Sequence, residues 1–295
     1  MAKIGIPRVL WYYQNWFLWE AFFSELGLEV VVSKKTDAKI LEDSLRLAEE
    51  EICLPAKIAL GHIIFLRGKV DYIFLPHIVS WVKGFYCCPK FIGLPDVARN
   101  TLSDIPPLIE PVIDLTKEKL YPALFKIGLH FSKNPFKIFK AIREATPDVQ
   151  NKTKQTEESN IKLALISHPY ITKDNFINMN IGEKLREMDA SLYDVNDLPE
   201  DILGCRPADM QSLNWDFVKR LHSGLLYFLK NGVDGVINIV SFGCGPDSLS
   251  SEMFTRLAHL HKKPFLQLNI DAQSQESGFD TRLETFVEMI RRKKR

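Results

Sequence analysis

Three cysteines in this chain are each followed within two residues by a proline, in Cys53-Leu54-Pro55, Cys88-Pro89 and Cys244-Gly245-Pro246. A thiolate is a soft metal ligand and a nucleophile, and a nearby proline stiffens the turn that carries it. Cys244 lies in Ser241-Phe242-Gly243-Cys244-Gly245-Pro246-Asp247-Ser248. Before it, Val236-Ile237-Asn238-Ile239-Val240 reads as a short buried strand. After it, Pro246 suits the first turn of a helix whose apolar face is Met253, Phe254, Leu257 and Leu260. Cys244 is therefore expected at the carboxyl end of a strand, beside exposed N–H groups and the positive end of a helix dipole. Such surroundings lower a thiol pKa and favour an anionic sulfur cluster. Cys53 repeats the arrangement, with Pro55 opening a helix. Cys88 falls beyond the carboxyl end of an apolar strand, where ligands gather in open α/β sheets. Taken alone, each cysteine reads first as a small buried side chain in a tight turn.

Three thiolates converging from two domains would leave one iron of a 4Fe-4S cluster open to water, sulfide or substrate. The spacing is neither the compact ferredoxin run nor a paired Cys-x-x-Cys zinc site. Cys87 is a fourth ligand or a spare, although its adjacency to Cys88 makes joint ligation of one metal awkward. Cys205, in Leu203-Gly204-Cys205-Arg206-Pro207, reads as structural. No Gly-x-x-x-x-Gly-Lys-Ser/Thr phosphate loop, no Gly-x-Gly-x-x-Gly after the first strand and no Gly-x-Ser-x-Gly elbow occur. His62, His77, His168 and His222 show no spacing that pairs them with a nucleophile, and read as packed or hydrogen-bonded residues.

The elements that must position these residues alternate. Residues 3–10 read as a strand and 11–26 as a helix with Trp16, Phe17, Trp19, Phe22 and Phe23 turned inward. A strand over 29–33 and a helix over 38–51 follow, then a helix from Pro55 and strands over 70–79 and 108–113. Helices over 117–129 and 134–144 close this half. Residues 148–160 are polar and read as a linker. The second half reads as strands over 161–167, 191–195, 233–242 and 265–270, with helices over 176–188, 215–230, 246–261 and 279–292. The expected fold is α/β, with two doubly wound, Rossmann-like parallel-sheet domains facing a cleft: 1–150 carrying Cys53 and Cys88, and 160–295 carrying Cys244. The 38 Lys and Arg balance 37 Asp and Glu, so no global field recruits nucleic acid or a membrane surface. No apolar run reaches the length of a membrane span, and the start reads as a strand rather than a signal peptide, so the expectation is a cytoplasmic protein. The basic tail Arg291-Arg292-Lys293-Lys294-Arg295 reads as the solvated end of the last helix.

Six segments resemble, in the same order, those of the acyl-CoA dehydratase activase-related proteins of the 2-hydroxyacyl-CoA dehydratase D-component superfamily. They are Ile4-Gly5-Ile6-Pro7-Arg8, Cys53-Leu54-Pro55-Ala56-Lys57 with Gly61-His62, Tyr72-Ile73-Phe74-Leu75-Pro76, Cys88-Pro89-Lys90-Phe91-Ile92-Gly93-Leu94-Pro95-Asp96, Ser167-His168-Pro169-Tyr170, and Phe242-Gly243-Cys244-Gly245-Pro246-Asp247-Ser248. The resemblance covers nearly the whole chain. It implies an iron-sulfur cluster held between two α/β domains by three cysteines, which carried onto this chain are Cys53, Cys88 and Cys244. It also implies a separate or fused ATP-dependent activase as electron donor. Members are either dehydratase subunits or reductases with a double-cubane cluster. This chain departs where relatives carry an arginine at His77, and where Asp271-Ala272-Gln273-Ser274-Gln275-Glu276-Ser277-Gly278 keeps only Asp271, Glu276 and Gly278 of the pattern after the last strand.

What the resemblance implies is an iron-sulfur protein that performs or relays a low-potential one-electron reduction. One alternative is a dehydratase subunit acting on a 2-hydroxyacyl-CoA. There the proton beta to the thioester is barely acidic until one added electron makes a ketyl radical anion that expels hydroxide. Another alternative is a metal-free binding or scaffolding protein of the same fold. Five cysteines cannot supply the six ligands of a double cubane. That cluster would need a homodimer or heterodimer interface, or a non-cysteine ligand, so one 4Fe-4S unit per chain is expected. The substrate would be an acyl-CoA or another small molecule.

Overall fold

Runs of Ile, Val and Leu set between amphipathic segments form strands buried on both faces, which is the pattern of a parallel sheet covered by helices. The computed structural model describes residues 1–146, 159–205 and 214–295. The chain divides into two units, Met1–Gln150 and Asn151–Arg295.

The first unit runs β1 (Lys3–Ile6), α1 (Tyr12–Glu25), β2 (Glu29–Val32), α2 (Ala38–Leu45), α3 (Leu54–Leu66), β3 (Tyr72–Phe74), β4 (His77–Ser80), α4 (Pro89–Ile92), α5 (Leu94–Thr101), β5 (Leu108–Ile109), β6 (Val112–Asp114), α6 (Leu120–Gly128) and α7 (Pro135–Ala145). The second runs β7 (Ile161–Ile166), α8 (Pro169–Thr172), α9 (Ile181–Glu187), β8 (Ala190–Asp194), α10 (Glu200–Leu203), α11 (Asp216–Lys230), β9 (Gly235–Ser241), α12 (Gly245–Leu260), β10 (Phe265–Ile270) and α13 (Glu276–Lys294).

Each unit holds a four-stranded parallel sheet, ordered β2-β1-β3-β5 in the first and β10-β9-β7-β8 in the second. The strand order is the same in both. The second strand lies on one side of the first and the third on the other, so the direction of winding reverses between β1 and β3 and between β7 and β9. Such a reversal opens a crevice at the carboxyl ends of the two strands. In the second unit, α11 and α12 cover one face of the sheet around Val236, Ala164, Ile166 and Phe254, all fully buried. On the other face Gly235 lies against Ile290 and Phe286 of α13. In the first unit, Trp19 and Phe23 stack on Phe74 at 4.7 and 4.9 Å between ring centroids.

Several expected elements are shorter than the sequence suggests. The strand over 70–79 breaks at Leu75-Pro76 into β3 and β4, and that over 108–113 breaks at Glu110-Pro111 into β5 and β6. A proline cannot donate to a ladder. The two broken strands therefore leave the main sheet together and continue as a separate parallel pair, β4 with β6. Trp16 and Phe17 are exposed rather than inward, because α1 kinks at Asn15, with φ −126° and ψ 24°. Leu260 is exposed at the end of α12 while Phe254 is fully buried. The helix over 176–188 starts at Ile181, after Asn180 takes a left-handed φ of 54°. Of the expected linker, residues 148–158 lie outside the described residues, as do Arg206 and Pro207 after Cys205. No helix among the described residues is long and apolar enough to cross a membrane.

Candidate metal centre

The three singled-out cysteines share one local structure. Cys53, Cys88 and Cys244 are each the N-cap of a helix, of α3, α4 and α12, with extended backbone and a proline in the first turn. The fixed φ of proline is already helical and its missing N–H is one the first turn has no use for, so Pro55, Pro89 and Pro246 start these helices where they do. The cysteine just ahead stays outside the helix, beside its unpaired N–H groups. All three are half-buried, and no disulfide joins any of the five cysteines.

In the first unit, Cys53 and Cys88 come together. Burial pushes the Cys88 thiol above its ordinary pKa, and the neighbouring Cys53 thiol adds to the rise because two thiolates would repel. The Phe91 and Lys90 N–H groups at the start of α4 pull this pKa down, as the sequence suggests for thiols so placed, but desolvation outweighs them and the net shift is upward. The two loops are also tied by Lys90, whose Nζ donates to the Glu51 carbonyl at 3.0 Å. Cys87 is buried, and its N–H donates to the Val79 carbonyl at 2.9 Å. Exposed Cys205 donates its thiol to the Asp201 carbonyl at 3.1 Å, as suits a structural residue.

In the second unit the carboxyl ends of β7 and β9 carry chemistry of a different kind: a thiol, an imidazole and a carboxylate. β7 ends at Ile166, paired in register with Asn238 of β9. Ser167 Oγ donates to the Ile239 carbonyl at 2.5 Å and fixes the turn that carries His168. From β9 the chain turns through Gly243, at φ 75°, into Cys244 and α12. Asp247 stands in the first turn of α12, where the dipole favours a negative charge. His168 Nε2 and Asp247 Oδ1 are 2.6 Å apart, with both side chains about 4% exposed. One ligand atom each from His168, Cys244 and Asp247 all lie within 4.8 Å of one another. Tyr170 stacks on the His168 ring at 4.9 Å and Phe217 meets it edge-on at 5.2 Å, which holds its plane.

Sequence spacing does not bring His168 to Cys244 and Asp247, since 79 positions separate the histidine from the aspartate. The usable signal was topological: both motifs follow strands that are neighbours at the reversal of winding. The other histidines behave as packed groups. His62 is fully buried, with Nδ1 2.8 Å from Ser33 Oγ and Nε2 3.1 Å from Thr36 Oγ1. Burial, helped by the Arg8 charge, lowers its pKa to about 3. His222 is fully buried and stacks over Phe254. His77 sets Nδ1 2.9 Å from the Ile92 carbonyl, and the Asp96 and Glu110 carboxylates lie 3.9 and 3.7 Å from its ring nitrogens. Of the residues kept after the last strand, Asp271 accepts from Gln273 N–H and Glu276 pairs with Lys184 at 2.6 Å.

A search of curated proteins returns no match for the chain. Residues 3–197 match the family described as the CoA enzyme activase uncharacterised domain. That span contains Cys53, Cys88 and His168 and ends ahead of Cys244 and Asp247. Because it takes in well over half of the residues, the chain belongs to the CoA enzyme activase uncharacterised domain family.

Proposed function

We propose that this chain is an iron-sulfur component of the 2-hydroxyacyl-CoA dehydratase D-component superfamily, in which Cys53, Cys88 and Cys244 are the thiolate ligands of a 4Fe-4S cluster. The observation that carries the reading is the repeated cap: three cysteines in one extended conformation, each at a helix start with proline in the first turn. The donor set fits such a group. Burial and the neighbouring Cys53 thiol both oppose ionisation of Cys88, and a bound cation removes that penalty by deprotonating a coordinating thiol outright. Helix N-termini offer N–H groups that favour anionic sulfur. When bound, the cluster would supply one electron at low potential and an iron able to take an oxygen ligand.

The chain's own residues would hold the thiolates at fixed spacing, through Pro55, Pro89 and Pro246, and brace the Cys88 loop through Lys90. Family membership supports a relationship with a CoA enzyme, with an ATP-dependent activase as electron donor. The same membership favours a CoA thioester over other substrates for the reduction. The test is anaerobic purification, iron and sulfide analysis, and reduction by an activase with ATP. Bleaching of the visible absorption on ATP-dependent reduction supports the proposal. A reduced cluster that binds an acyl-CoA would identify a dehydratase subunit, and a protein that never takes up iron would overturn the reading.

A further inference from the structure

The arrangement around Cys244 has a property that a cluster ligand alone does not require. Asp247 is a buried carboxylate, which can only accept hydrogen bonds, so the 2.6 Å contact is a donation from His168 Nε2–H. The other ring nitrogen, Nδ1, then has a lone pair, and it is buried with no hydrogen-bond partner. Asp247 Oδ2 is likewise buried without one. A buried polar atom left unsatisfied costs about 1–3 kcal/mol, and two such atoms in a pair within 4.8 Å of a thiol sulfur are not explained by packing. With its proton moved to Nδ1, His168 offers Nε2 as a lone pair on the side of the ring that faces Asp247, so one ion can take both groups as donors.

We propose that Cys244, His168 and Asp247 form a binding site for a single divalent transition-metal ion of the zinc or ferrous type. Sulfur, imidazole nitrogen and carboxylate oxygen bind such an ion at about 2.3, 2.0 and 2.1 Å, which at tetrahedral angles sets donors about 3.3–3.6 Å apart. The three groups, already within 4.8 Å, reach that spacing by side-chain rotation. Three protein donors leave one coordination position open, as in catalytic rather than structural zinc sites. The mixed S, N, O set selects against magnesium and calcium, which take oxygen alone. Every donor comes from the second unit, so the site is complete without Cys53 or Cys88. It uses the sulfur that the proposed cluster also uses, so the ion occupies protein that carries no cluster.

The test is anaerobic titration of the full-length, iron-free chain with Co2+, read by thiolate-to-cobalt charge-transfer absorption and by the visible bands of a tetrahedral ion. The site predicts one Co2+ per chain, displaced by Zn2+. Cys244→Ser loses the charge-transfer absorption, and His168→Ala and Asp247→Asn each weaken binding by about tenfold or more. The Cys53→Ser/Cys88→Ser double variant binds Co2+ as wild type does while taking up no cluster, which separates this site from the cluster reading. Far-UV circular dichroism checks folding. Asp247→Asn, which keeps the shape of the side chain, keeps the test decisive if His168→Ala fails to fold. Wild-type affinity in Asp247→Asn, or cobalt bound without thiolate absorption, would overturn the site.

Discussion

His62 shows how a family motif can be structural at the level of a single residue. Its two ring nitrogens are used up by Ser33 and Thr36, and Ser33 Oγ also accepts from the Arg8 N–H at 2.7 Å. The histidine therefore ties the end of β2 to the loop after β1. Its pKa is about 3 in the folded chain against an ordinary 6.5. Between those values the unfolded chain binds the extra proton, so stability is full above about pH 6.5 and falls as pH drops towards 3, by about 1.4 kcal/mol per pH unit. Urea unfolding at pH 7.5 and pH 5.0 should show wild type losing about 2 kcal/mol more than His62→Gln over that interval. Equal losses in the two proteins would contradict the burial of a neutral imidazole. Gly243 gives a second residue-scale prediction. At φ 75° a side chain is strained, so Gly243→Ala should cost about 1–2 kcal/mol and shift the turn that presents Cys244, read as a lowered unfolding midpoint.

Among the elements, the helices that carry cysteines depend on close packing behind them. A Cβ on Gly61 would stand 2.3 Å from the Ile40 carbonyl oxygen of α2, and Gly61 N–H bonds Ser44 Oγ at 3.2 Å. Gly61→Ala should therefore push α3 off α2 at a cost of about 1–3 kcal/mol. Phe254, fully buried under α12, should cost about 3–5 kcal/mol when cut to alanine. Denaturant midpoints check both, and a change below 0.5 kcal/mol in either would contradict the packing described. The sequence made the alternation of strands and helices readable, because apolar runs of strand length and capped amphipathic segments are local signals. It did not show the breaks at Pro76 and Pro111, where apolar residues continue past the proline and only pairing partners reveal that the strand has moved to another sheet. Nor did it show the kink at Asn15, which turns Trp16 and Phe17 outward. The caps at Cys53, Cys88 and Cys244 were readable from proline positions alone. The meeting of His168 with Asp247 was not, since it follows from β7 and β9 being neighbours across 79 positions.

At the scale of the whole molecule, two units whose parallel sheets share one strand order carry the three helix-capping cysteines, Cys53 and Cys88 on the first and Cys244 on the second. We propose that these three residues serve one metal group. The measurement that tests it most directly is iron and acid-labile sulfide per chain after anaerobic reconstitution, on wild type and on Cys53→Ala, Cys88→Ala, Cys244→Ala and Cys205→Ala. About four irons with matching sulfide are expected in wild type and in Cys205→Ala, and their loss in each of the other three. Wild-type protein that takes up no iron, or a Cys244→Ala protein that keeps its full complement, would contradict it.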